Sequence, residues 1–214
     1  FPFVLVGKAS GRGVTLNMLG NDIETTADRG VYGEKSVDSG EVAYNKIISG
    51  NESVGFPDEI VLDVGSEFGG LDIHHNHLIS DDHGMLFGEN GLNNNLHDNI
   101  IDGSTGRYAF VIKGNGHLLS NNVGSGGTET CLLFKNSENC ISHNDLFMQD
   151  VAGGSAIRFD VGTAFAPKNN SVTKANIKVT DGNLIEGIDG TNLGNGNFID
   201  DNYYEVTGNG EWGI

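Results

Sequence analysis

The feature that most constrains this chain is a short unit that returns along its whole length: an apolar residue, two variable residues, then asparagine. It occurs as Val14…Asn17, Val42…Asn45, Ile73…Asn76, Leu96…Asn99, Leu119…Asn122, Ile141…Asn144 and Ile199…Asn202, with a looser copy at Val172…Asn176. The copies return every 22 to 32 residues or so. Most place another apolar residue two positions after the asparagine: Leu19, Ile47, Leu78, Ile101, Leu146 and Tyr204. A second apolar-x-apolar segment closes each unit, as in Met85-Leu-Phe87, Phe110-Val-Ile112, Leu132-Leu-Phe134 and Ile157-Arg-Phe159. Alternation with a period of two is the mark of a strand that buries one face.

No single copy can cover its own apolar face. Copies of this length therefore stack, each turn covering the next at about 4.8 Å, and the count predicts a column of about eight turns, ~35–40 Å long. Asparagine suits the corner of such a turn for two reasons. It tolerates left-handed backbone, and its amide can bond the asparagine of the next turn, making a ladder. A sandwich or a propeller also uses short strands, but neither requires the same residue at the same corner of every turn. The reading is one all-β domain over residues 1–214.

Composition supports tight turns rather than disorder. The chain has 33 glycines and only 3 prolines, and glycine serves corners at positive φ. A net charge of −17 argues against nucleic acid, which requires a basic footprint. No apolar stretch reaches the ~18 residues of a membrane span. Cys131 and Cys140 fall on different walls of one turn and are expected to remain unbridged. The first residue is Phe1, which suggests a processed product or a piece of a longer chain. Solenoid ends need covering, so flanking domains or a homotrimer are expected to shield them.

These repeats, from Val14 to Ile214, resemble the right-handed parallel β-helix, or pectin-lyase-like, superfamily. Its members include pectate lyases, polysaccharide epimerases, tailspike glycosidases, adhesins and structural rods. The resemblance implies an extracellular or virion-surface domain that binds a polysaccharide and cleaves or modifies it as a lyase, hydrolase or epimerase. The alternative is a non-catalytic structural or adhesive rod in a tailspike- or adhesin-like assembly. It also implies that the variable loop of each turn flanks the binding wall. Here the irregular loops are 20–30, 49–59, 80–84, 102–109, 124–130 and 148–155.

Three groups of side chains on that frame could do chemistry. Alternation puts Val61, Leu86, Val111, Leu133 and Arg158 in one outward row, and Asp63, Gly88, Lys113, Lys135 and Asp160 in the next, with Glu186 nearby. Stacked Lys113 and Lys135 would suit proton abstraction beside a uronic acid or an anion clamp, with Arg158 and Asp160 completing an acid–base set. Asp81, Asp82 and His83 in one loop lie below Asp102, Arg107 and Tyr108 in the next and Glu129 beyond. Paired carboxylates there would suit glycoside hydrolysis, with His83, Arg107 and Tyr108 contacting sugar. The oxygen-rich loops could take Ca²⁺, but they lack an ordered calcium-loop spacing. No other cofactor is expected. Finally, His74 with His97, and His75 with Asp98, Asn121 and His143, are expected to share register positions, a pattern open to a transition metal. The run Val61, Leu86, Val111 and Leu133 is expected to form an outward apolar stripe that marks an interface.

Overall fold

The structure is a computed structural model, and it describes residues 4–5, 15–25, 29–33, 37–49, 60–64, 69–80, 83–88, 90–103, 107–160, 166–187 and 196–211. Among them every regular element is a strand and every pairing is parallel. Two sheets form the column. One has eight strands, from Thr15–Leu19 to Phe198–Asp200, each pairing with the equivalent strand one turn away. We call it the first wall. The fourteen-stranded sheet folds back on itself through one long strand, Leu146–Asp160. Its two arms are the second wall, which includes His77–Ser80, Ile100–Gly103 and Val123–Gly126, and the third wall, which includes His83–Phe87, Tyr108–Asn115 and Thr130–Glu138.

The interior is built from stacked rows, one inward residue per turn. The first wall contributes Met18, Val42, Ile73, Leu96 and Leu119. The second contributes Ile47, Leu78, Ile101 and Phe147, and the third Met85, Phe110, Leu132 and Ile157. All are buried. The second-wall row passes through Gly124, where a Cβ would sit 2.8 Å from the Phe110 ring and 2.9 Å from Cys131 Sγ. Glycine there makes room for the large neighbours. Cys131 and Cys140 are both free and buried, as expected. Burial pushes their thiols up, to about 12 and about 11, so neither is a reactive thiolate.

The asparagine ladder is present, but its corner splits the two duties the sequence reading gave to one residue. The residue before each rung takes the left-handed conformation: Tyr44, His75, Asp98, Asn121, Asn144, Lys174 and Asp201 have φ between 52° and 58°. The next residue turns inward and makes the ladder. Asn76 is typical: its N–H and Nδ2 both donate to Asn99 Oδ1 (3.1 and 2.9 Å), and its Nδ2 also donates to Val42 O (2.8 Å). The rungs are Asn21, Asn45, Asn76, Asn99, Asn122 and Asp145.

Three assignments therefore move. Asn17 is exposed within its strand and Asn21 is the first rung. The copy Ile141…Asn144 is out of phase by one, because Ile141 is 45% exposed while Ser142 is fully buried opposite Leu119. The phase slips because Ile141 can extend an exposed apolar row with Leu118, its partner one turn below. In the next turn Ala175, not Asn176, holds the rung position and donates only its backbone N–H to Asn202 Oδ1, at 2.8 Å. The side-chain ladder is thus continuous over about six turns instead of eight.

A second inward polar row lies at the corner that leads into the first wall. Asn94 accepts from Leu71 N–H, and its own N–H donates to His117 Nδ1. His117 Nε2–H donates to Lys113 O at 2.8 Å. Burial holds this imidazole down to about 4, so it stays neutral. The irregular loop expected over 148–155 is instead part of the long strand, bent around a buried Gln149 whose Nε2 donates to Gly127 O and Ser155 O. The outward Val111 and Leu133 are each only 2% exposed, so that part of the expected stripe is covered within the chain, while the side chains of Val61 and Leu86 lie outside the described residues. Register also replaces Val61 with Asp63 beside Leu86 in that row.

Replacing Asn99 with Ala should destabilise the chain by at least about 3 kcal/mol, since it strands several buried donors and acceptors at roughly 1–3 kcal/mol each. Asn17→Ala, on an exposed position, should cost under about 0.5 kcal/mol. Thermal unfolding followed by circular dichroism checks both, and equal effects would refute the register. The Asp145 carboxyl is pushed up to about 6, first by burial, against the opposing effect of its bonds from Ser142 and Asn122. A raised carboxyl pKa means the folded state holds more protons, so stability falls as pH rises from about 4 to 6. Asp145→Asn should gain about 2–3 kcal/mol over the parent at pH 7.5 and lose that advantage near pH 4, measured by denaturant unfolding.

Candidate functional site

The loops between the second and third walls bring one connected cluster together. His83 and Tyr108 begin neighbouring third-wall strands in direct register, one turn apart. Their rings stack with centroids 4.9 Å apart. The next residue after His83 is Gly84, where a Cβ would lie 2.2 Å from the Ile101 side chain and 2.6 Å from Ala109 O. Only glycine lets the chain pass so close to the second wall, and this fixes where His83 starts its strand. Arg107 Cζ lies 5.8 Å from the Tyr108 ring centroid. On the following turn, the N–H groups of Glu129 and Thr130 both donate to Arg107 O. That bifurcated contact sets Glu129 beside Tyr108.

Glu129 is the hub. The Tyr108 hydroxyl donates a hydrogen bond to Glu129 Oε2. Arg158 Nη1, from the next turn, lies 3.9 Å from the same oxygen. Burial first, then the bond to Glu129, drives the Tyr108 hydroxyl far above its ordinary value, so it remains a donor. The result is a half-buried carboxylate held by a phenol and a guanidinium, with an aromatic–imidazole stack at its side. Such a set can bond sugar hydroxyls and offer a ring face.

The remaining sequence candidates sort around this hub. Lys135 and Asp160 are direct register partners, with Nζ 3.7 Å from Oδ2. Lys113 lies at a register slip between Ile112 and Gly114, opposite Lys135 and Asn136, where Asn136 has φ of 50°. Lys135 therefore meets a carboxylate through a regular pairing that Lys113 lacks. Asp102 belongs to the second wall, where Ser125 Oγ donates to its Oδ1 at 3.2 Å. Asp81 and Asp82 lie outside the described residues. Glu186 pairs with Arg158 by backbone register. On the first wall, His74 and His97 do share a row, as expected, while His143 joins that row and not the one holding His75. The sequence reading missed Glu41 and Asp72 beside those histidines and the buried Gln149. Equal strand position two residues before His74 was the available signal for Asp72.

Comparison with known proteins adds the fold. No protein-family model and no curated protein matches the chain. Among solved structures, the DFA-IIIase of Arthrobacter chlorophenolicus A6 in complex with DFA-III superposes with a TM-score of 0.64 at 16% identity, covering 94% of this chain and 49% of that one. The same enzyme without its lid gives 0.61 at 16% identity, over 97% and 62%. Its complex with GF2 gives 0.59 at 16% identity, over 94% and 60%. The chain has the pectin-lyase-like parallel β-helix fold. It spans about half to three-fifths of the length of these neighbours.

Tyr108 should titrate well above the ordinary tyrosine value in an ultraviolet absorbance titration. Glu129→Gln should bring that titration down, because it removes the charge that holds the proton. An unchanged Tyr108 titration in the variant would show that the contact does not exist in solution.

Proposed function

We propose that this chain is the β-helix of a carbohydrate-active protein, and that the His83–Arg107–Tyr108–Glu129–Arg158 cluster binds an extracellular polysaccharide and cleaves it by hydrolysis. The observation that carries this reading is the placement of Glu129, a half-buried carboxylate fixed by Tyr108 and Arg158 beside a stacked aromatic pair. Glycoside cleavage needs a positioned carboxylate of that kind, with a second acid facing it across the sugar. Asp160, level with Lys135, stands about 20 Å further along the wall than Glu129 and is too distant for that part; Asp102, on the adjoining second wall, is the described candidate for the second. Lyase chemistry is less well supported, because Lys135, the base it would use, is paired with Asp160. The neighbouring DFA-IIIase, which shares the fold, has been seen in complex with DFA-III and with GF2.

The test is product release from a panel of neutral and acidic polysaccharides, with and without calcium. New reducing ends without unsaturated products are expected on at least one of them. Glu129→Gln should then lower the rate by roughly 10²–10⁴-fold while leaving the fold intact by circular dichroism. Unsaturated products would overturn hydrolysis in favour of a lyase. No product from any glycan would leave the non-catalytic rod, or an epimerase that does not cut the chain.

A further inference from the structure

The first wall carries a second cluster, on a different face from the site above. His74 and His97 face outward in one row, a turn apart, and their rings stack with centroids 4.7 Å apart and planes 10° from parallel. The adjoining outward row holds Glu41 and Asp72 in direct register. Glu41 Oε1 lies 2.9 Å from His74 Nε2, and Asp72 Oδ1 lies 3.0 Å from His97 Nε2. The ligand atoms of Asp72, His74 and His97 all fall within 4.8 Å of one another.

The other side of each ring is also engaged. His97 Nδ1 is 2.8 Å from Asp98 Oδ2, and His74 Nδ1 is 2.9 Å from His75 Nδ1. Asn95 Nδ2 donates to Asp72 Oδ1 at 3.0 Å. Tyr44 stacks on His75 at 5.1 Å and meets His74 edge-on. His74, only 8% exposed, is walled in by these neighbours.

This arrangement has a chemical consequence. A neutral imidazole has one N–H. When the His97 Nδ1–H donates to the Asp98 carboxylate, Nε2 presents a lone pair to Asp72, which is also an acceptor. The same holds for His74 Nε2 and Glu41 once the His74 Nδ1–H points to His75. Two imidazole lone pairs and two carboxylates then face one another, with the Asn95 amide on Asp72 Oδ1, and a cation completes the set. Metal-bound histidines characteristically donate their second N–H to a carboxylate or other acceptor, and ligating carboxylates are themselves hydrogen-bonded. Asp98, His75 and Asn95 stand in those supporting positions.

We propose that Glu41, Asp72, His74 and His97 form a binding site for a divalent transition-metal ion of the zinc type. Two imidazoles and two carboxylates suit Zn²⁺ or Co²⁺ over Ca²⁺ or Mg²⁺, which prefer all-oxygen shells. The ligands come from three successive turns: Glu41 from one, Asp72 and His74 from the next, His97 from the third. Asp72, His74 and His97 already lie together, and Glu41, in contact with His74, would swing in as the fourth ligand; a closed site of this kind clamps turns of the column together and does not act on a substrate.

The test uses the full chain without a polyhistidine tag, stripped with chelator and titrated at pH 7.5 with Co²⁺ and then Zn²⁺. One ion per chain is expected, with a cobalt d–d absorption of tetrahedral intensity that zinc displaces. Zinc in hundredfold excess over its Kd should raise the melting midpoint by roughly 5–10 °C. Asp98→Asn, which removes no ligand, should weaken affinity by roughly 10–100-fold. Glu41→Gln, on a half-exposed ligand, should keep the fold and lose the tetrahedral cobalt spectrum. No uptake at millimolar metal overturns the proposal and leaves protons as the balancing cations. It is equally overturned by uptake that survives in the His74→Gln, His97→Gln double variant, or by calcium raising the midpoint as much as zinc.

Discussion

The structure depends on one constraint: where the chain leaves the first wall it turns through a left-handed residue and directs the next side chain inward, and from Asn45 to Asp145 that side chain is polar and buried. The turn directs the next residue inward, against backbone groups that the corner leaves without sheet partners. Asparagine answers this well, because it has two acceptor sites and two donors. In Asn45, Asn76 and Asn99 the acceptor oxygen takes the N–H and amide of the rung before, and the two donors meet the rung after and a carbonyl on the first wall. A polar row can run through an apolar interior because each rung satisfies the next. Where a residue cannot do this, the row stops. Asp145 accepts but has no amide to donate, and Ala175 offers only its backbone.

The same stacking turns local alternation into long-range order. Once the corner fixes the phase of one turn, every outward residue on a wall stands beside its counterpart on the next, about 4.8 Å away. Residues more than twenty positions apart thereby become neighbours. Tyr108 meets Glu129, Lys135 meets Asp160, and His74 meets His97. The candidate site and the histidine cluster arise in this way on different walls of one frame. Neither is visible as a contiguous motif.

The sequence reading was most accurate where packing is local and strongest. The inward rows through Ile47, Leu78, Leu96 and Phe110 follow from period-two alternation alone. It slipped where polar residues crowd together. In Ile141-Ser-His-Asn-Asp, either Asn144 or Asp145 could be the rung, and the apolar residue suggests the wrong phase. Exposure of Ile141 and burial of Ser142 settle it, because Ile141 extends an exposed row with Leu118 while Ser142 binds Asp145 at 2.6 Å. The corner itself was recognised, but its two roles fall on adjacent residues. Left-handed backbone goes to Tyr44, His75 or Lys174 as readily as to asparagine, so identity at that position carries little signal.

By itself, the sequence determined that the chain is a parallel column of short strands, and which residues face inward wherever period-two alternation is unbroken. Those properties rest on spacing and alternation, which are local. Only the tertiary structure decided which outward side chains meet. That outcome depends on the length of each connecting loop and on slips such as the one at Lys113, both of which shift register between turns. A one-residue shift reverses every side chain on a strand. Lys135 therefore faces Asp160 across a regular pairing while Lys113 falls at the slip, and Glu41 and Asp72 enclose a histidine pair.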